Sequence, residues 1–190
     1  MTPSLVQPEE KVRMAGPIPT GCCPPFPPAE WQEREVTWED HPFVKEHVVS
    51  FFHIPLNMGR AVVRAKEKID AAGASPEHPL MLADENSLWG ADLYVDVTRP
   101  VPGATMATLS GRFLTKVYDG PFGDIPLWTE DMKGYVERKG HTLDKLYFAY
   151  TTCPRCAKVY GHNYVVLFAR IGDAAQPPAH AGALPESSDA

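Results

Sequence analysis

An internal repeat limits what this chain can fold into. Residues 46–56, EHVVSFFHIPL, are β-rich, and NMGRAVVRAKEKIDAAG follows, with Met58, Val62, Ala65, Ile69 and Ala72 recurring at steps of four and three. That spacing lines up one stripe of an α-helix. Asn57 is placed to cap its start and Gly73 to stop it. PLML and ADLYVDV then read as strands. The same order returns downstream. ATLSGRFLTKVYDG is β-rich; DIPLWTEDMKGYVERKG sets Ile125, Trp128, Met132, Tyr135 and Val136 on one side, between Asp124 at the N-cap and Gly140 at the stop; KLYFAY and NYVVLFA complete the unit. Pro55 to Gly73 is 18 residues and Pro121 to Gly140 is 19, so the two units match in length. Two β-α-β-β repeats predict an α+β fold related by a pseudo-twofold axis, with helices on one face of an antiparallel sheet and a ligand cleft between the halves.

The ends differ from this body. GPIPTGCCPPFPPAEW holds six prolines in sixteen residues, and proline lacks the backbone donor that helices and central strands use. Residues 1–45 are therefore expected to form a proline-rich arm, partly docked through Cys22, Cys23, Phe26 and Trp31, ahead of a domain over 46–172. Residues 173–190 are small, polar and proline-punctuated, which predicts a disordered tail. The net charge is −6 with both signs interspersed, so no concentrated basic face for a nucleic-acid backbone is expected. No apolar run reaches the ~18 residues of a membrane span, and the first residues lack a signal-peptide core; the expectation is a cytoplasmic monomer or homodimer without a membrane partner.

The strand WGADLYVDV alternates Leu93, Val95 and Val97 with Asp92, Tyr94, Asp96 and Thr98. The apolar set should lie under a helix, leaving carboxylates and a tyrosine on the other face. Glu85 and Trp89 are near in sequence, and Tyr118, Tyr147 and Tyr150 come from the second half. An aromatic wall with one or two carboxylates suits a planar hydrophobic or cationic small molecule; a solvated sheet face with tyrosines packed across strands would show the same pattern. The chain has no Ser-His-Asp set, phosphate loop or HExxH helix.

The repeat resembles the GyrI-like small-molecule-binding superfamily, and GRFLTKVYDGPFGDIPLW is similar to its second-half signature. More narrowly, CCPPF, FFHIPLNMG and YTTCPRCAKVYGHNYVVLFA resemble a stand-alone bacterial branch often labelled hydrolase, over about residues 21–171. The resemblance implies a cleft that binds drug-like molecules, for sequestration or for hydrolytic detoxification of electrophilic natural products through a carboxylate and aromatic residues. Many members of the superfamily carry an acid at the start of the last strand, where this chain has Asn163. Asp92 aligns with it in the first repeat, so Asp92 or Glu85 would supply the catalytic carboxylate. Trp89, Tyr94, Tyr118, Tyr147, Tyr150 and Asn163 would line the ligand. The alternatives are a non-enzymatic ligand sensor and a tetrapyrrole (haem) binder of the related SOUL-like type. For the latter, only isolated histidines such as His53 and His162 are on offer, and Cys156 is followed by Ala157 rather than by the histidine of a haem-attachment motif.

Cys153 and Cys156 form a Cys-x-x-Cys pair between two strand-like runs. A redox dithiol sits at a helix N-terminus, and the dozen residues available predict a hairpin tip instead. A structural zinc needs further ligands, which Cys22, Cys23 or His162 could supply if the arm crosses the tip. Four buried thiols packing as small hydrophobes is the third reading.

Overall fold

The computed structural model describes residues 18–21, 23–51, 54–55, 57–77, 79–85 and 90–173, with backbone alone at 50–51, 54–55 and 173. In chain order the elements are β1 (Arg34–Phe51), β2 (Ile54–Pro55), α1 (Met58–Ala71), β3 (Met81–Asp84), β4 (Gly90–Asp96), β5 (Met106–Asp119), α2 (Ile125–Arg138), β6 (His141–Tyr150), α3 (Pro154–Tyr160) and β7 (Tyr164–Asp173). This is the expected α+β architecture of two β-α-β-β units.

All the pairings are antiparallel. They follow the order β2-β1-β4-β3-β6-β7-β5, and β5 returns to pair with β1. The six long strands therefore close on one another. Exchanging the units swaps β1 with β5, β3 with β6 and β4 with β7, and leaves the order unchanged. That is the pseudo-twofold relation in hydrogen-bonded form. The first strands of the units pair with each other from Arg34↔Thr115 to Val44↔Met106. The third elements pair only at Leu82↔Ala149 and Ala83↔Phe148.

Strand alternation gives the sheet two buried faces. On the helix side, Ala61, Ala65 and Ile69 of α1 are buried, with Met58, Val62 and Ala72 packed beside them. Trp128, Met132, Tyr135 and Val136 of α2 cover Leu114, Val165, Leu167 and Ala169. Both stripes match the periodicity of the sequence, and Gly73 and Gly140 follow the helices with positive φ, as a helix stop requires. The caps differ from expectation. Asn57 sits at the N-cap, but its Oδ1 accepts from Val49 N at 2.8 Å. Asp124 ends a 3-10 turn and makes no side-chain cap bond.

On the other face, Phe43, Leu82, Tyr94, Leu109, Phe113, Tyr147, Val166 and Phe168 fill the interior of the ring. Phe26 and Trp31 pack onto them from the N-terminal segment, and Trp38 from the start of β1. Thr115, fully buried, donates its hydroxyl to the Trp31 carbonyl at 2.7 Å, and Val117 N donates to Gln32 Oε1 at 3.0 Å. The proline-rich segment thus docks by replacing hydrogen bonds that β5 would otherwise lose. The first strand begins at Arg34, so residues 34–45, which the sequence assigns to the arm, belong to the sheet. Pro42 and a register shift between Trp38 and His41 disguise this strand.

Candidate functional site

Each helix covers the half of the sheet formed by its own repeat. Among the described residues, Tyr150 at the end of β6 is the one side chain packed against the cores beneath both helices. It therefore marks the seam of the repeats. Its hydroxyl donates to Glu85 Oε1 at 2.6 Å, so the residue that ends β6 meets the residue that follows β3. Burial, and after it the negative charge of Glu85, push the Tyr150 hydroxyl far above the ordinary tyrosine range. It stays protonated and acts as a donor. Phe122, 43% exposed, meets the Tyr150 ring edge-on at 5.5 Å. On the same sheet face Tyr118 stacks on Trp128 at 5.5 Å, and its hydroxyl donates to Asp131 Oδ2 at 2.8 Å. Burial, then Asp131, raise this tyrosine as well.

The structure separates the other expected site residues. Asp92 is on the opposite face, bound to Lys45 Nζ at 2.8 Å and His47 Nδ1 at 3.0 Å. Partial burial pushes its carboxyl up, but the hydrogen bonds from Lys45 and His47 outweigh it and hold it below the usual range. Asp84, beside it across the strands, is buried and pairs with Lys145 at 2.5 Å. Tyr94 and Tyr147, 8% and 2% exposed, meet edge-on inside the ring at 6.0 Å. Asn163 is tied to the turn after β5: its Nδ2 donates to the Gly120 carbonyl at 2.6 Å and its N to Asp119 Oδ1 at 2.8 Å. Trp89, Cys22 and His53 lie outside the described residues. His162 bonds Asp119 Oδ2 at 2.6 Å and stacks on Tyr164 at 5.0 Å. Phe122 and Asp131 were not singled out by the sequence. The Gly-Pro turn that precedes Phe122 was the available signal for one; Asp131 lies on the polar side of α2 and carried none.

The Cys-x-x-Cys segment is not a hairpin tip. Pro154–Tyr160 forms a seven-residue helix with Cys153 at its N-cap and proline in its first turn, where a missing donor costs nothing. Cys156, 0% exposed, faces inward. The sulfurs of Cys23, Cys153 and Cys156 all lie within 4.8 Å of one another, a donor set that could hold a metal ion. The Thr20 hydroxyl, then the Cys23 amide and the neighbouring sulfurs, hold the Cys156 thiol down to about 6 against the effect of burial. A pocket of about 230 Å³, lined by Pro25, Phe26, Thr152, Tyr160, His162 and Tyr164, lies beside this cluster.

A family model described as bacterial hydrolase matches residues 15–171. No curated protein matches. Solved structures share the fold at low identity. A hydrolase from Listeria innocua superposes with a TM-score of 0.55 at 13% identity, over 74% of this chain and 92% of that one. EcmrR in a DNA complex gives 0.58 at 9% identity over 76% and 58% of the two chains. The isolated EcmrR C-terminal domain gives 0.51 at 10% over 76% and 99%.

Proposed function

Because this chain belongs to the bacterial hydrolase family, we propose that it binds a planar hydrophobic or cationic small molecule at the seam of its two repeats and adds water to an electrophilic centre in it. The observation that carries this reading is the hydrogen bond from Tyr150 to Glu85. It fixes a carboxylate where the two repeats meet, on a tyrosine whose ring touches the exposed ring of Phe122. A carboxylate offers about four acceptor sites, of which Tyr150 uses one. Among the described residues the others have no partner, so they can orient a water or attract a cation. Aromatic rings beside it supply the apolar and cation–π contacts that a flat ligand needs.

In the reaction, Glu85 accepts a proton from water while the water oxygen bonds to the electrophilic carbon. The bond that breaks leaves its electron pair on the ligand, which takes up a proton, and the product is heavier by one water. Tyr150 holds Glu85 in place. Asp92, bound to Lys45 and His47 on the other face, is not the carboxylate of this step. A metal at the cysteine cluster is assigned no part in it.

A panel of aromatic cations and electrophilic natural products, read by tryptophan fluorescence and mass spectrometry, tests the proposal. Saturable binding with a water-addition product supports it. Binding without any such product would leave a sequestering or sensing protein and remove the enzymatic half. Failure of every planar compound to bind would sink the seam as a ligand site.

A further inference from the structure

We propose that Cys23, Cys153 and Cys156 hold a zinc ion that clasps the N-terminal segment to the start of α3. The proposal is independent of the chemistry at the seam. Three sulfurs from two segments about 130 residues apart in sequence converge within 4.8 Å. Zinc–thiolate bonds of about 2.3 Å in tetrahedral array put sulfurs roughly 3.8 Å apart, which this cluster reaches by small side-chain rotations. Cys153 and Cys156 come from one helical turn, so both face the same point. Cys23 closes it from the arm.

The surroundings suit thiolates rather than packed thiols. Cys153 N donates to Cys23 Sγ at 3.4 Å. The Cys23 amide and the Thr20 side chain both lie against Cys156 Sγ. Donors aimed at sulfur are the outer shell that orients metal–thiolate ligands. The arm is itself fixed here, because Tyr160 donates to the Cys23 carbonyl at 2.6 Å and Thr20 donates to the same oxygen at 3.0 Å. Cys156 has no exposed surface, as a closed structural site requires. Metal entry would release the thiol protons to solvent, and a water would complete the tetrahedral set. The chemistry of a sulfur-rich, enclosed set selects zinc over magnesium or calcium. Its effect would be to lock Phe26 and Trp31 onto the interior aromatic face.

The test uses the full chain purified without chelator. Elemental analysis should find about one zinc per chain, falling by about tenfold or more in C23S, C153S and C156S. Because unfolding of a serine variant would also release metal, wild-type protein is stripped and titrated as well. Uptake of one equivalent, with recovery of Trp31 fluorescence and of protease resistance in residues 18–33, is expected. Cobalt in place of zinc should show sulfur-to-metal charge-transfer absorption. Wild-type protein that carries no zinc and takes none up would overturn the proposal. So would a metal-free Cys153–Cys156 disulfide, or retention of zinc in C23S with its loss in C22S, which would move the arm's ligand to Cys22.

Discussion

Tyr150 donates a 2.6 Å hydrogen bond to Glu85, joining residues 65 positions apart at the ends of two strands that pair only briefly. The contact is a property of the repeat. Only where β3 and β6 meet do the ends of the two units come together.

Glu85→Gln should preserve ligand binding and lower turnover by ~10²-fold, since an amide cannot take a proton from water. Tyr150→Phe should cost about tenfold by loosening the carboxylate. Asp92→Asn should leave turnover near wild type. Steady-state kinetics with any substrate found by the panel decides this, and equal losses in all three variants would refute the assignment.

Trp38 touches Phe43, Phe113 and Phe168 with ring centroids 4.6–5.8 Å apart. Trp38→Ala is expected to lower stability by about 2–4 kcal/mol, mainly through lost packing inside the ring. Urea unfolding measures it. A loss below about 0.5 kcal/mol would show that the N-terminal part of β1 is not part of the cooperative core.

Glu46 binds Arg64 at 3.0 Å and Lys68 at 3.3 Å, tying β1 to α1. Burial raises its carboxyl, but the two cations outweigh it and hold the pKa below the ordinary 4.5. The folded state therefore binds fewer protons than the unfolded state through this window. The stabilisation is fully present above the ordinary value and is lost as pH falls through the depressed folded value. In Glu46→Gln the acid limb of the stability–pH curve should be flatter than in wild type. Thermal melts from pH 3 to 7 supply the comparison, and superimposable slopes would rule the linkage out.

Gly120 lies at φ +154°, and a Cβ there would sit 3.2 Å from Trp128 Cζ2. Gly120→Ala should cost about 1–2 kcal/mol and disturb the Tyr118–Trp128 stack. Near-ultraviolet circular dichroism reports the stack and denaturant titration the stability. An unchanged spectrum with full stability would mean that the turn relaxes without strain.

The parts of this protein legible in its sequence were those set by near neighbours. The stripe from Met58 to Ala72 and that from Ile125 to Val136 are local periodicities, and they determined both long helices and the faces these bury. Alternation in GADLYVD likewise separated Leu93 from Tyr94, and the repeat of such signals was enough to read the architecture. The two acids nearest the cleft strand looked equivalent in sequence, yet pleat parity sends Asp92 to Lys45 and His47 while the end of β3 turns Glu85 toward Tyr150. Tyr94 and Tyr147 became core because the sheet closes through β1 and β5, a pairing with no local signature. The seven-residue α3 is too short to print a stripe, so its helix, and the meeting of Cys153 and Cys156 with Cys23, were decided by tertiary contacts. Local pattern specifies which face a residue takes within its own element. Which elements share a boundary depends on contacts far apart in sequence, and in this fold those contacts select the carboxylate, the tyrosine and the thiols.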